Sequence, residues 1–273
     1  MTHVQHPVVR RLGVYPLKGG GGTWVTSAEV TATGFRHDRE FMLVRPGGAH
    51  LSQREIARMA LLRPEFDGGK LVVDAIDAVT PLVHEIRAEG PVRDVTVHGR
   101  PCQGIDQGDE AADWFSALLD TDCRLVRFAG RRATPLGGGT VAYADGYPLH
   151  VVSLESLADL NSRLEDPLPV NRFRPNIVLE GLGAWGEDAV ERLWIGEVEI
   201  ELVRPCIRCV VTTTDQNSGV RGPEPLRTLA TYRIRRLDDG SRGMIFGQNG
   251  IPRTLGTIHA GDPVSVSSHP SRA

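Results

Sequence analysis

The sequence predicts a β-rich protein of the α+β class, with a β-barrel-like domain followed by a second β-rich domain that carries a few helices. Its 273 residues correspond to roughly 1.8 domains of about 150 residues. Short β-type segments fill the first hundred positions, and the hydrophobic period becomes helical at residues 109–120. We therefore expect one domain over residues 1–120 and another over residues 121–273.

The N-terminal part consists of short apolar runs separated by turn residues, a spacing typical of antiparallel barrels or sandwiches. These runs are VVRRLGVYPLK, TWVTSAEVTATG, REFMLVRPGG, KLVVDAID, TPLVHEIRAEG and VRDVTVHG. In the following segment DEAADWFSALLD, Ala112, Phe115, Leu118 and Leu119 fall on one face of a helix. This amphipathic helix is the predicted boundary element.

The C-terminal part begins with the strand CRLVRF, a glycine-rich loop PLGGGT and the apolar run LHVVS. The segment SLESLADLNSRLE predicts a second helix, with Ser153 as its N-cap. Three later segments predict strands: RFRPNIVLEG, ERLWIGEVEIELVRP and CIRCVVTTTD. The small polar tail from Pro263 is expected to fray.

Composition and charge exclude several classes of protein. The chain is 40% hydrophobic and 24% charged, as in folded globular proteins, and its net charge is −3. This balance excludes general binding to nucleic acid or anionic lipid. No apolar run approaches 18 residues, and the start MTHVQHPVVRRLG has no apolar signal core. The sequence therefore predicts a cytoplasmic protein with no membrane partner.

Cys206 and Cys209 form the only close pair among the four cysteines, in RPCIRCVVTTT. A zinc site needs two further ligands at short spacing, and the sequence has neither a second CxxC nor an HxxxH. A thioredoxin-type couple needs a helix after the first cysteine, whereas the β-branched residues 210–214 favour a strand. In a strand the two side chains point to opposite faces, and the three-residue step separates their Cα atoms by about 10 Å, too far for a disulfide.

One thiolate acting alone is therefore the functional interpretation of this pair, and burial of both cysteines as small apolar residues is the alternative. Arg208, with Arg204 upstream, favours function, because an adjacent guanidinium lowers the pKa of a thiol or neutralises an anionic ligand.

Three other cations occupy unusual surroundings. Lys18 in YPLKGGGG could offer charge and flexible amides to a phosphate, although the order of residues is not that of a Walker A loop; a plain surface loop is the alternative. Arg174 in RFRPN either covers the core or points into a site. Arg39 in GFRHDREFML either serves a site or pairs locally with Asp38 or Asp67.

The order of these motifs resembles that of the MOSC proteins that carry an N-terminal β-barrel domain, such as the mitochondrial amidoxime-reducing components and their bacterial counterparts. The motifs are YPLK, GFRHDREFMLV, LADLNSRL, NRFRPNIVLEG, WGEDAVERLWIGEVEIELVRPCIRCVVTTTD, EPLRTLATYR and FGQN, and the resemblance extends from Val8 to Val266. It implies that the second domain is a MOSC β-barrel domain.

The resemblance also implies a site. Cys209 would ligate the molybdenum of a molybdenum cofactor, a pterin dithiolene with a phosphate, because a soft thiolate suits that metal. The residues placed around the cofactor are Lys18, Gly19, Arg39, Gly146, Tyr147, Arg174, Arg208 and Asn249. Gly19 stands where relatives commonly have serine, so that backbone would replace one side-chain hydrogen bond.

The activity implied is reduction of N-hydroxylated compounds: hydroxylamines, amidoximes and N-hydroxylated bases. Electrons would come from an external electron-transfer protein and reductase, because the chain lacks the cysteine spacing of a ferredoxin. Two alternatives stay open, sulfur transfer through a cysteine persulfide and non-catalytic carriage of the cofactor. Pyridoxal phosphate binding is associated with the MOSC superfamily, and the resemblance therefore also raises it as a further alternative.

Overall fold

The computed structural model describes residues 7–76 and 78–268. Strands dominate it, as the sequence predicts. Over these residues the strands are β1 (Val8–Val14), β2 (Thr23–Val25), β3 (Ser27–Thr31), β4 (Gly34–Phe35), β5 (Phe41–Val44), β6 (Leu62–Asp67), β7 (Lys70–Ala75), β8 (Leu82–Glu85), β9 (Val92–Val97), β10 (Arg100–Asp106), β11 (Arg124–Ala129), β12 (Leu149–Ser153), β13 (Ile177–Glu180), β14 (Val190–Ile195), β15 (Val198–Ile207), β16 (Ile234–Arg236), β17 (Arg242–Pro252), β18 (Gly256–His259) and β19 (Val264–Ser268). The α-helices are α1 (Asp109–Leu119), α2 (Leu154–Asn161) and α3 (Leu226–Tyr232).

The largest sheet has the order β19-β14-β15-β17-β12-β13-β1-β2, with β16 added to β17. Its pairs are antiparallel except β12 with β13. Three smaller sheets are β5-β11-β10-β9, β18-β3-β4 and β6-β7-β8. The N-terminal strands β1 and β3 thus pair with the C-terminal strands β13 and β18, and β11 pairs with β5 and β10. The boundary at residue 120 stays a prediction.

Both predicted helices form. In α1, Ala112, Phe115 and Leu119 are buried, and Phe115 and Leu119 belong to the apolar core that contains Leu43 and Leu71, which confirms the amphipathic pattern. Ser153 caps α2, since its hydroxyl accepts a hydrogen bond of 3.1 Å from the amide of Ser156. The helix ends at Asn161, earlier than the predicted run to residue 165.

The predicted strand after Cys209 is wrong. Strand β15 ends at Ile207, and residues 210–213 form one turn of 3₁₀ helix. The Thr212 hydroxyl donates to the carbonyl of Cys209 at 2.9 Å, and Thr213 does the same to Val210 at 2.8 Å. Threonine tolerates a helical turn because its hydroxyl can bond to a carbonyl three residues back. The argument that Cys206 and Cys209 alternate along one strand therefore fails.

Two other segments differ from prediction. Before β13, residues 170–173 form a 3₁₀ helix rather than a strand, and Arg174 ends it with φ +54°. The expected fraying of the tail from Pro263 is wrong for residues 264–268, because they form β19, which pairs with β14. Residues 269–273 lie outside the described residues. Over the described part of the chain, no helix has the length and apolarity needed to span a membrane.

Candidate active site

One cavity of about 160 Å³ lies where the loop after β1, the segment before β12 and the ends of β15 and β17 meet. All of the site residues predicted from sequence line it: Lys18, Gly19, Arg39, Gly146, Tyr147, Arg174, Arg208, Cys209 and Asn249. The fold thus brings together residues that are up to 231 positions apart, from Lys18 to Asn249. Their roles toward a cofactor stay predictions.

The two cysteines have different surroundings in this cavity. Cys206 and Cys209 are half-buried free thiols, and both line the wall. The Arg208 guanidinium contacts Cys206, with Nη1 2.9 Å from Sγ, and donates through Nη2 to the carbonyl of Phe173 at 2.8 Å. Arg208 therefore contacts the thiol of Cys206. Cys209 is the residue at which the 3₁₀ turn begins.

Arg39 and Arg174 enclose the ring of Tyr15. Each guanidinium carbon lies 4.4 Å from the ring centroid, a cation–π distance. Arg39 pairs with Asp38, as the local alternative anticipated, and also donates to the carbonyl of Arg174 at 3.1 Å. Burial, and then the neighbouring Arg39, lower the pKa of Arg174 to about 10. The site thus holds a buried cation, Arg174, beside a half-buried one, Arg39.

Lys18 is buried at the opening of the glycine run, so the surface-loop alternative is wrong. Its Nζ donates to Asp145. Burial lowers the pKa of Lys18, Asp145 partly restores it, and Arg132 and Arg39 lower it further. Gly19 follows with φ +80°, where a Cβ would lie 2.9 Å from the Met59 methyl carbon. A serine at position 19 would therefore be strained in this chain.

The segment before β12 is fixed by a buried arginine outside the predicted set. Arg132 donates to the carbonyls of Ala142, Ala144 and Asp145 at 2.7, 2.6 and 2.7 Å. Gly146 and Tyr147 follow directly and face the cavity. Asn249 lies on β17, where its amide is 3.4 Å from the carbonyl of Pro205.

Sequence reasoning missed three histidines and one carboxylate in the wall, His50, His98, His150 and Asp145. Burial, and then Lys18, lower the pKa of His50 to about 4. Burial, and then Arg208, hold the pKa of His150 well below its usual value. Both rings are therefore neutral at pH 7. None of these four residues stands in one of the motifs described above. The only local signal is at His98, where VHG follows a strand pattern and indicates a turn.

The wall carries an excess of positive charge. Among the described residues that line it, the cations Lys18, Arg39, Arg54, Arg174 and Arg208 face one carboxylate, Asp145. Lys18 pairs with Asp145, and Arg39 pairs with Asp38 behind the wall, but the buried Arg174 and the half-buried Arg208 form no ion pair with a carboxylate among the described residues. Such cations favour an anionic ligand. No group of three or more histidine, cysteine or acidic side chains that could bind a metal occurs within residues 7–76 and 78–268. A metal here would need ligands from a cofactor in addition to one thiolate.

The family comparisons agree with this architecture. Residues 6–122 match the MOSC N-terminal beta barrel domain, and residues 138–265 match the MOSC domain. The chain is 36% identical to mitochondrial amidoxime-reducing component 1 of Mus musculus over 94% of this chain and 81% of the relative. It is 35% identical to component 1 of Homo sapiens and 34% identical to component 2 of Bos taurus, each over 94% of this chain and 82% of the relative.

These matches define the class as a MOSC protein with an N-terminal barrel. Within that class, the chain belongs to the family of the mitochondrial amidoxime-reducing components. The resemblance inferred from the ordered motifs is thereby confirmed, as is the β-rich α+β fold class.

Proposed function

We propose that this protein is an oxidoreductase that reduces N-hydroxylated compounds such as hydroxylamines, amidoximes and N-hydroxylated bases, with a molybdenum cofactor in the cavity. The observation that carries the proposal is the convergence of five cations and two free thiols, Cys206 and Cys209, on one cavity. The relatives are named for amidoxime reduction, which supports the reaction class.

The residues of the wall fit this cofactor. Cys209 offers the soft thiolate that a sulfur-bound molybdenum takes as a ligand. Lys18 and Arg174 would hold the phosphate, because an anion offsets the unfavourable burial of these charges. Arg39 lies beside them in the wall and would contribute a third donor. Lining groups that would contact the pterin are Gly19, Gly146, Tyr147, Arg208 and Asn249.

The bound cofactor supplies the two-electron chemistry, and the chain supplies position and charge. Arg208 is held by the Cys206 thiol and the Phe173 carbonyl, so its guanidinium is oriented before any ligand binds. The guanidinium groups of Arg39 and Arg174 both contact the Tyr15 ring, and these contacts help to fix the two cations in the wall.

Electrons come, in this proposal, from an external electron-transfer protein and its reductase. The sequence has no ferredoxin cysteine pattern. One GxGxxG, residues 181–186, follows β13, but a short 3₁₀ turn and the antiparallel strand β14 come after it instead of the helix and parallel strand of a dinucleotide-binding unit. The small-molecule substrate enters the cavity directly.

The test is to purify the protein from cells that make the cofactor and to measure molybdenum and oxidised-pterin fluorescence. Reduction of an N-hydroxylated compound is then assayed with reduced viologen. Bound cofactor with turnover supports the proposal. Bound cofactor without turnover would identify a carrier, and a cysteine persulfide without molybdenum would identify sulfur transfer; either result contradicts reductase activity.

A further inference from the structure

Two side chains in the cavity wall have no part in the function proposed above. His98 Nε2 lies 3.0 Å from Asp145 Oδ1, and both residues line the cavity that contains Cys209. His98 follows β9 with φ +50°, at the tip of the β9–β10 hairpin. The positive φ values of His98 and Gly99, +50° and +75°, are those that a two-residue hairpin turn requires, and this turn carries His98 to the cavity wall.

Asp145 is held firmly as an anion. Its backbone carbonyl accepts from Arg132 at 2.7 Å, and its carboxylate also accepts from Lys18. Burial within the walls alone would raise the pKa of Asp145, but Lys18 and His98 outweigh burial and hold the pKa well below its usual range. Its side chain is still 62% exposed, so the carboxylate faces the open cavity.

The wall around His98 contains one aromatic neighbour, two cations and one carboxylate. The ring of His50 meets the His98 ring edge-on, with centroids 4.6 Å apart. Lys18, from the loop after β1, and Arg54, from the segment after β5, are the cations in the same part of the wall. Asp145 is the carboxylate that contacts the His98 ring, and this contact fixes the position of Nε2.

We propose that His98 is a proton donor in the reduction of the N-hydroxyl group, with Asp145 as its positioning residue; this inference rests on the proposed function. Overall, the substrate takes up two electrons and two protons, its N–O bond breaks, an N–H bond forms, and the oxygen leaves as water. The electrons come from the external donor. His98 gives one proton to the departing oxygen and regains it from water in the cavity, while the second proton comes from solvent.

The first experiment needs no cofactor. The ¹⁵N resonances of the His98 ring are compared by NMR in the ligand-free protein and in Asp145→Asn. Loss of the carboxylate is expected to change the Nε2 chemical shift, because Nε2 loses the contact with Oδ1 at 3.0 Å. An unchanged Nε2 resonance would overturn the positioning role of Asp145.

The second experiment uses the cofactor-loaded protein with saturating reduced viologen. The variant is His98→Gly, because glycine suits φ +50° and should keep the hairpin intact. Its kcat is expected to fall about 100-fold or more, with unchanged pterin content. Added imidazole is expected to restore part of the loss, and the pH dependence of kcat should follow the added base. His259→Ala, which removes the surface pair with Asp262 outside the cavity, is the matched control and should leave kcat unchanged.

Wild-type kcat and pH profile in His98→Gly would overturn this inference alone. A fall in kcat without imidazole rescue would also overturn it, since a structural defect does not respond to a free base. A loaded wild-type protein without turnover would overturn the proposed function, and this inference with it.

Discussion

Replacing Arg174 with methionine separates a binding role from a structural one. The pKa of Arg174 is lowered from 12.5 to about 10, so charge burial disfavours the folded ligand-free protein by about 3 kcal/mol at neutral pH. Methionine removes that cost. It also removes the hydrogen bond to the Gly20 carbonyl and the contact with the Tyr15 ring, and a hydrogen bond from a charged group contributes about 1.5–3 kcal/mol.

The two contributions nearly cancel in the ligand-free protein. We expect the free energy of unfolding of Arg174→Met, measured in urea by circular dichroism, to stay within about 1 kcal/mol of the wild type. Affinity for the cofactor should fall, because the variant loses a charge-assisted contact. The expected loss is about ten- to a hundredfold, measured as pterin bound per chain.

Arg132 is the matched control, because it is also a buried arginine but all of its carbonyl contacts are structural. Arg132→Met leaves the buried carbonyl of Ala142 and the partly buried carbonyls of Ala144 and Asp145 without their donor. It also relieves the burial of the Arg132 charge, but three lost hydrogen bonds from a charged group should outweigh that relief and cost about 3 kcal/mol of unfolding free energy. If Arg174→Met instead lost that much stability while its pterin content stayed at the wild-type value, the cofactor role of Arg174 would be refuted.

Two further predictions concern stability and electron supply. Burial raises the pKa of Glu187, whose Oε2 accepts from Ser153 and Ser156. The folded protein therefore binds the extra proton, and stability falls as pH rises from about 4.3 through the raised pKa. Urea unfolding of Glu187→Gln should lack this fall, and an identical pH dependence in both proteins would contradict the assignment. NADH or NADPH alone should give no turnover with the purified chain, whereas reduced viologen should; direct nicotinamide-dependent activity would show a binding site outside this account.

The sequence predicts local features well where the signal is local. The helical period of residues 109–119 and the cap at Ser153 both appear in the structure. The pairing of β1 with β13 could not be predicted, because register between distant strands depends on tertiary packing. The strand predicted after Cys209 failed because hydroxyl-to-carbonyl hydrogen bonds override the β propensity of threonine.

The candidate site shows the same division. Lys18, Arg174 and Cys209 stand in motifs, and the motif order pointed to them before the cavity was known. His50, His98 and Asp145 stand alone in polar segments, and only the fold brings them together. Arg208 contacts Cys206 rather than Cys209 at the point where β15 ends at Ile207 and the 3₁₀ turn of residues 210–213 begins, and no propensity signalled this change.

The most direct test of the cofactor assignment compares Cys209→Ala with Cys206→Ala. Both thiols line the cavity, but only Cys209 is assigned to the metal, while Cys206 contacts Arg208. Turnover of an N-hydroxylated substrate with reduced viologen is measured per bound pterin. We predict that Cys209→Ala abolishes turnover even where pterin remains, and that Cys206→Ala retains most of it. If Cys206→Ala lost all activity while Cys209→Ala kept half or more, the assignment of the metal ligand would be wrong.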